Sequence, residues 1–393
     1  MQATENVVLA MNAGSSSIKF ALYRMRHSEE TLLFSGSVES MGTAEAKINV
    51  NRGTENELET IPLPGSGIAV ALIRWLRKQL GFNQITAIGH RVVHGMSHIR
   101  PETITPALIK ELKTLIGYDP EHLPVEIALI ELFVKEFPDL PHIACFDTMF
   151  HHMMPVVAQM LAIPRKYQQK GIRRYGFHGI SYQYLTEQLS LLNKDNTSNS
   201  RVVIAHLGSG ASLAAIKNGQ SMDTSMGFTP GAGIPMSTRS GDLDPGVAGY
   251  LFQQEKLGSK QFNHLVNHES GLLGVSETSP DIRELLKVRD TDSRAVEAID
   301  LFCYQVSKYI GAYAAVLGGL DTLVFSGGIG EHLPEVRAQV CHNLGFLGIE
   351  LNQAKNLKHE AVISTGKVCV RVLPTNEALM MARLITRALN NDI

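Results

Sequence analysis

Three runs of small residues stand where a chain can present bare backbone N–H groups to an anion. They are Asn12-Ala13-Gly14-Ser15-Ser16-Ser17, Gly208-Ser209-Gly210-Ala211-Ser212 and Gly327-Gly328-Ile329-Gly330-Glu331. Glycine and serine let a phosphate come close to the main chain, and successive outward N–H groups form a nest for it. No Gly-x-x-x-x-Gly-Lys-Ser/Thr run occurs, so none is a P-loop. The Gly208 turn leads into another apolar strand and not a helix, which argues against a dinucleotide fingerprint. Several turns of this kind suggest a split nucleotide site. Two arginines stand out beside them. Arg91 lies in Gly89-His90-Arg91-Val92-Val93-His94-Gly95, and Arg239 lies in the turn-rich stretch 223–246. An arginine hemmed in by apolar Val92 and Val93 is poorly accounted for as a surface ion pair, whereas its fork matches a carboxylate or phosphate at two points. Asp147 follows an apolar run ending at Phe146 and reads either as a helix cap or as a catalytic carboxylate. His90, His94 and His98 recur every four residues, but the β-branched Val92-Val93 between them favours a strand over a zinc-binding helix face. His151-His152 reads as a solvated or packing pair.

These residues need elements to hold them, and the elements repeat. Val7-Val8-Leu9-Ala10 runs into the first small-residue turn and out through Lys19-Phe20-Ala21-Leu22. Val202-Val203-Ile204-Ala205, which lies 195 residues later, runs into the Gly208 turn and out through Leu213-Ala214-Ala215-Ile216. Apolar strand, tight turn and apolar strand predict a β-hairpin in each copy, and the gapless offset predicts a duplicated domain. Helices are expected over 67–80, 124–137, 293–317 and 376–389, and strands over 86–93, 141–146 and 322–325. Hairpins followed by alternating helices and strands imply an α/β fold. With 393 residues, too many for one core, two lobes facing a cleft are expected. They comprise residues 1–150 with 379–393, and residues 151–378.

Composition narrows the class. A formal net charge of -2 leaves no basic footprint for nucleic acid or for an anionic membrane. The N-terminal residues lack the basic region of a signal peptide, and the longest apolar stretch, Tyr309 to Leu320, is too short to span a bilayer. Cys145, Cys303, Cys341 and Cys369 are scattered in apolar surroundings without metal-ligand spacing, as reduced core residues of a cytoplasmic protein would be.

Taken together, several motifs resemble those of the acetate kinase family of acetate and propionate kinases over nearly the whole chain. They are Asn12 to Lys19, His90 to Gly95, Phe146-Asp147-Thr148, Tyr175-Gly176-Phe177-His178-Gly179, His206 to Ser212, Asp223 to Gly246, Gly328 to Glu331 and Pro374-Thr375-Asn376-Glu377. The resemblance implies the duplicated actin-like and sugar-kinase-like ATPase fold and a cytoplasmic homodimer. It also implies reversible phosphoryl transfer from ATP to acetate, giving ADP and acetyl phosphate, with Mg2+ or Mn2+. By the same resemblance Arg91, Asp147, His178 and Arg239 are catalytic, and Asn12 and Glu377 serve the metal. Ser15, Ser17, Lys19, His206, Gly208, Ser209 and Gly210 belong to the phosphate end. Asp281, Arg283, Gly328, Ile329, Gly330 and Glu331 belong to the nucleotide side. Val93, Phe177 and Pro230 wall the acyl group.

The residue types suit that reaction. A carboxylic acid with a pKa of about 4–5 is ionised at neutral pH, so the nucleophile needs no general base. The barrier lies in bringing one anion up to another, which arginines, a metal ion and a protonated histidine lower by positioning and charge neutralisation. Asp147 then orients or holds the metal shell and does not act as a base. A propionate or other short-chain acid kinase is the nearest alternative. A nucleotide-switched binding protein of the actin or chaperone branch is a remote one, since it needs no carboxylate clamp. The family pattern breaks at Pro120-Glu121-His122-Leu123-Pro124, where Glu121 replaces an apolar residue, and at Gly231-Ala232-Gly233-Ile234-Pro235. Ser209 stands where asparagine is usual. A carboxylate beside an acyl chain is costly to desolvate, so Glu121 either faces solvent or marks a pocket for a more polar acid.

Overall fold

Each apolar hairpin nucleates one sheet. The structure is a computed structural model and describes residues 5–14, 17–26, 29–40, 45–53, 55–63, 67–79, 81–192 and 200–390. The chain divides into two compact units, residues 1–149 with 376–393 and residues 150–375. The return to the first unit comes at Asn376 and not at 379, because Asn376 caps the last helix, its side chain accepting from Leu379 N.

The first unit holds an eight-stranded sheet. Its strands are β1 (Asn6–Ala13), β2 (Ser17–Arg26), β3 (Glu29–Ser40), β4 (Glu45–Arg52), β5 (Glu55–Pro62), β6 (Ala87–Val92), β7 (Glu102–Thr103) and β8 (His142–Phe146), ordered β5-β4-β3-β2-β1-β6-β8-β7. β1 and β8 are apolar almost throughout because they are interior strands of the sheet. β4 alternates instead, burying Ala46, Ile48 and Val50 while Lys47 and Asn49 face water. Phe20, Phe34 and Trp75 interlock in the core with ring centroids 5.4–6.2 Å apart. Burying each such side chain contributes about 1.5–3 kcal/mol. The helix expected over 67–80 runs only over Ile68–Leu76, since the buried face ends at Leu76 and Arg77 and Lys78 turn outward. The Glu377–Leu389 helix buries Met380, Met381, Leu384 and Ile385 against β1, β2, β6 and β8. Gly89 makes that approach feasible, as a Cβ there would lie 2.2 Å from Ile385 Cδ1.

The second unit holds a five-stranded sheet of β9 (Arg201–Leu207), β10 (Ala211–Lys217), β11 (Gln220–Thr224), β12 (Thr322–Ser326) and β13 (Cys369–Val372), ordered β11-β10-β9-β12-β13. Its directions, two antiparallel pairings then two parallel ones, match those of β3-β2-β1-β6-β8. The duplication is therefore a property of the fold. The hairpin registers differ, however. Ala13 pairs with Ile18 across residues 14–17, whereas Leu207 pairs with Ala211 across 208–210. The gapless sequence match thus stops at the turn, and the second turn is the tighter one. The Ser293–Leu317 helix starts at the Asp292 cap and stops at Gly318, whose φ of 70° is the left-handed conformation glycine adopts without strain. The run 327–331, expected as a turn, is the start of a short helix, Gly327–His332. Among the described residues, no helix is long and apolar enough to cross a membrane.

His90 and His142 lie on the neighbouring strands β6 and β8. His142 Nε2 donates to Phe137 O at 3.1 Å, so its Nδ1 must accept, and His90 Nε2 donates to it at 3.0 Å. Both rings are neutral, and burial holds both pKa values below the ordinary histidine value. The folded state refuses protons that the unfolded chain takes up below about pH 6.5, so this pair costs stability as the pH falls through that value. The urea midpoint should drop from about pH 7 to about pH 5, and drop less in His90→Gln, which keeps the donor without the titration. An equal drop in both proteins would remove the pair as the cause.

Candidate active site

In the first unit the site is built at the carboxyl ends of three adjacent parallel strands, where open α/β sheets place their ligands. Asn12 is near the end of β1 and Arg91 near the end of β6, while Asp147 directly follows β8. Asp147 N donates to Val92 O at 3.0 Å, which brings the ends of β6 and β8 level. Arg91 Nη1 donates to Asn12 Oδ1 at 3.2 Å, and Nη2 donates to Asp147 Oδ2. Burial opposes the arginine's charge, but the Asp147 and Glu377 carboxylates outweigh it and keep the guanidinium protonated. Two buried atoms of this pair have no hydrogen-bond partner, Arg91 Nε and Asp147 Oδ1. Glu377 occupies the first turn of the last helix. Lys19 is exposed on β2, opposite Asn12 in the ladder, and Ser17 opens the same strand. Ser15 lies outside the described residues. Val93 is buried, and its N–H donates to Glu126 Oε2 at 3.0 Å.

In the second unit His178, His206, the Gly208–Gly210 turn and Arg239 come together. His178 sits in the left-handed region at φ 57°, a costly conformation for a non-glycine residue that recurs at functional sites. Its Nδ1 bonds Ser212 Oγ at 2.8 Å, and Tyr182 OH bonds the same oxygen. The ring lies 4.5 Å from that of His206, whose Nδ1 bonds Ser181 Oγ at 2.8 Å. A Cβ on Gly210 would stand 3.3 Å from His178 Nε2 and 3.9 Å from Arg239 Nη1, so glycine lets both side chains reach over the turn. Arg239 Nη1 donates to Pro230 O at 3.2 Å, and Ser237 N donates to Ser209 O at 3.2 Å, joining the 223–246 segment to the turn. Phe177 is buried, and its carbonyl is bonded by the His151 ring at 3.0 Å. His151 is thus a buried support, while His152 is exposed.

The Gly327–His332 helix lies against β9, with Gly327 at φ 74° beside the Leu207 carbonyl. Its first amide is not open to an anion. Glu331 Oε1 accepts from Gly327 N at 2.8 Å and from Thr375 N at 3.2 Å, filling the position a phosphate would take. Gly328, Ile329 and Gly330 follow on the same helix. Asp281 caps the Ile282–Val288 helix through Arg283 N at 2.9 Å and clamps the Arg283 side chain at 2.6 Å, which lowers the carboxyl's pKa. Of the positions that depart from the family pattern, Glu121 is half-buried, Leu123 is fully buried, and Gly233 is fixed by Asp242 Oδ1 at 2.9 Å.

Two buried charged residues of these neighbourhoods were not singled out from the sequence. Glu126 falls on the buried stripe Leu123, Glu126, Ile127 and Ile130, where a charged residue at a core spacing could have marked it. Arg337 is fully buried and donates to Gly330 O, Glu331 O and Asn356. It too falls on a buried stripe, with Pro334, Val336, Val340 and Cys341, so the same signal could have marked it. The donor set also permits a test for a metal. Among the described residues, no group of three or more His, Cys, Asp or Glu could hold an ion alone. Asp147 Oδ1 is a buried carboxylate oxygen without a partner, which suits a hard cation that keeps waters and phosphate oxygens as its other ligands.

Residues 7–383 match the acetokinase family, and the chain belongs to it. It is 42% identical to an acetate kinase of Rhodopseudomonas palustris, over 97% of this chain and 98% of that one. It is 40% identical to a propionate kinase of Salmonella typhimurium, over 97% and 96%. The crystal structure of the acetate kinase of Porphyromonas gingivalis superposes with a TM-score of 0.87 at 35% identity, covering 98% of this chain and 100% of that one. The two units accordingly carry the duplicated α/β ATPase fold of these kinases.

Proposed function

We propose that the protein is an acetate kinase, transferring the γ-phosphoryl group of ATP to acetate and the reverse. The reading rests chiefly on Arg91, a charged, largely buried guanidinium held by Asn12 and Asp147 with its Nε–H unpartnered. Such a group is preorganised for an oxyanion. A carboxylate oxygen attacks the γ-phosphorus, the bond to the bridging oxygen breaks, and ADP leaves with the electron pair. Asp147, already paired with Arg91, orients that arginine and takes no proton. His178 and Arg239 meet the transferring phosphoryl oxygens, and the Gly208–Gly210 turn with His206, Ser15, Ser17 and Lys19 receives the phosphate end. Asp281, Arg283 and the 328–331 segment serve the adenosine side, with Val93, Phe177 and Pro230 as apolar walls for the acyl group. Mg2+ is the expected ion, held by Asp147, Asn12 and Glu377 with the phosphates, and when bound it supplies neutralisation of phosphate charge.

A hydroxylamine trap for acyl phosphate with Mg-ATP, run with acetate, propionate, butyrate and hydroxy acids, tests the reading. Product with acetate at the lowest KM is expected. Product only with another acid would keep the mechanism and move the substrate, and folded protein that binds ATP but makes no product would refute a kinase.

The homodimer and the cytoplasm belong to the same proposal. Exposed Val156, Val157, Tyr250 and Tyr304 give the second unit apolar surface for a second copy, and four free cysteines suit a reducing compartment. Light scattering should return twice the chain mass; a monomer mass would refute the dimer.

A further inference from the structure

The turn that leaves β6 carries the residues nearest the Arg91 end of the sheet, and its backbone donors are met by side chains. Gly95 N donates to Thr148 Oγ1 at 3.2 Å, Met96 N to His94 Nδ1 at 3.2 Å, and Val93 N to Glu126 Oε2 at 3.0 Å. Glu126 differs from the other two acceptors. It is a carboxyl group, only 2% exposed, on the inward face of the Leu123–Glu136 helix, and its second oxygen, Oε1, has no hydrogen-bond partner. A carboxylate in that position would rest a buried charge on a single hydrogen bond, whereas a neutral acid keeps the acceptor that Val93 needs. We propose that Glu126 is a positioning residue that works as a neutral acid, holding Val93 in place, and that its ionisation adds a buried negative charge within electrostatic reach of Arg91, which weakens the pull on an anionic substrate. This rests on the carboxylate kinase reading above.

Groups facing Glu126 agree with that assignment. Burial raises its pKa to about 8, against the pull of Arg91 from β6 and of the Val93 N–H, and the carboxyls of Asp119 and Asp147 push it the same way as burial. Asp119 is itself held by His122 Nδ1 at 2.9 Å in the loop ahead of the helix. His90 of β6 also packs on this helix, its ring 5.8 Å from that of Phe133, and burial keeps it neutral. β1 carries no titratable side chain, and on the Pro106–Thr114 helix Lys110 is exposed, Glu111 pairs with His98 and Lys113 pairs with Glu131. The sign follows from the raised value. Below about pH 8 Glu126 is neutral, and above it a second carboxylate offsets part of the Arg91 charge that the substrate meets.

The test compares wild type, Glu126→Gln and Glu126→Ala. In the wild type, KM for the carboxylate should rise about tenfold over the unit above pH 8 while kcat changes little. Gln preserves shape and acceptor without titrating, so its KM should stay level across that range. Ala leaves Val93 N–H unmet and should raise KM at neutral pH about tenfold, a loss that Gln restores. A rise in KM retained by Glu126→Gln would overturn the proposal, as would Gln impairing the enzyme as much as Ala. Infrared difference spectra of wild type against Glu126→Gln, taken without substrate, should show a protonated carboxyl band at neutral pH that fades above about pH 8. Absence of that band overturns the neutral acid whether or not the protein makes acyl phosphate, so failure here and failure of the kinase reading are told apart.

Discussion

Arg91→Ala should lower kcat at least about a hundredfold while the two sheets still form. Removing one preorganised donor from a transition state typically costs about 2.7–4 kcal/mol, and a hundredfold is about 2.7 kcal/mol. Arg91 offers more than one donor, and the groups that fix it, Asn12 and Asp147, cannot replace its charge. Stability must be separated from catalysis here. The mutation strands Asp147, whose side chain is 1% exposed, without its counter-charge, and breaking such a pair costs about 3–5 kcal/mol. The double variant Arg91→Ala with Asp147→Asn relieves that penalty and should recover thermal stability without recovering turnover. Near-normal kcat in folded Arg91→Ala would sink the assignment. Arg239→Ala should cut turnover to a similar degree. Its guanidinium is held by the Pro230 carbonyl beside His178 and the Gly210 turn, so it too is placed before any ligand arrives.

Arg337→Met should be the most destabilising single change in the second unit. The guanidinium is fully buried, and burial lowers its pKa to about 10. It meets Asn356 Oδ1 at 2.8 Å, Gly330 O at 2.8 Å, Glu331 O at 3.0 Å and Asn356 O at 2.8 Å. Methionine fills much of the volume but leaves those acceptors dry and unmet. At about 1–3 kcal/mol for each unsatisfied buried group, with partial relaxation, the loss should be about 3–5 kcal/mol. Gly330 and Glu331 are also the segment assigned to the nucleotide side, so KM for ATP should rise more than KM for acetate. Equal effects on both, with unchanged melting, would show that Arg337 does not hold that segment.

Both expectations concern residues whose legibility in the sequence was very unequal. Arg91 could be found because a charged residue leading into Val92-Val93 in a strand contradicts its surroundings. Arg337 shared the stripe of Val336, Val340 and Cys341 on its helix, but its full burial arises from the Gly327–His332 helix and the Gln353–Leu357 helix closing over it, and which carbonyls it meets there is not written in that stripe. The hairpins and the long helices were readable for the opposite reason. Their periodicity is local, and capping residues such as Asp292 and Gly318 mark the ends. Besides the shortened helix at Ile68–Leu76 and the unit boundary at Asn376, two readings needed the structure to correct them. The small-residue run at 327–331 coils into helix because Glu331 folds back onto Gly327 N, and a gapless repeat in sequence hides hairpin turns of different length. Of the site, the Arg91 and His178 neighbourhoods were legible as motifs. Ser212 and His151 were legible only as a turn residue and a packing candidate, and Glu126 and Ser181 not at all, since their roles depend on which element each one faces.

The Glu377–Leu389 helix completes the first unit after the whole of the second has been traversed. On the ribosome this imposes an order of events. Residues 150–375 are contiguous and can collapse as they emerge, while β1, β2, β6 and β8 wait for Met380, Leu384 and Ile385 to cover them. Nascent chains arrested just short of residue 376 should therefore show a protease-resistant second unit beside a still cleavable first one. Whatever shields apolar strands during synthesis has its longest task at the beginning of this chain, although that beginning is made first.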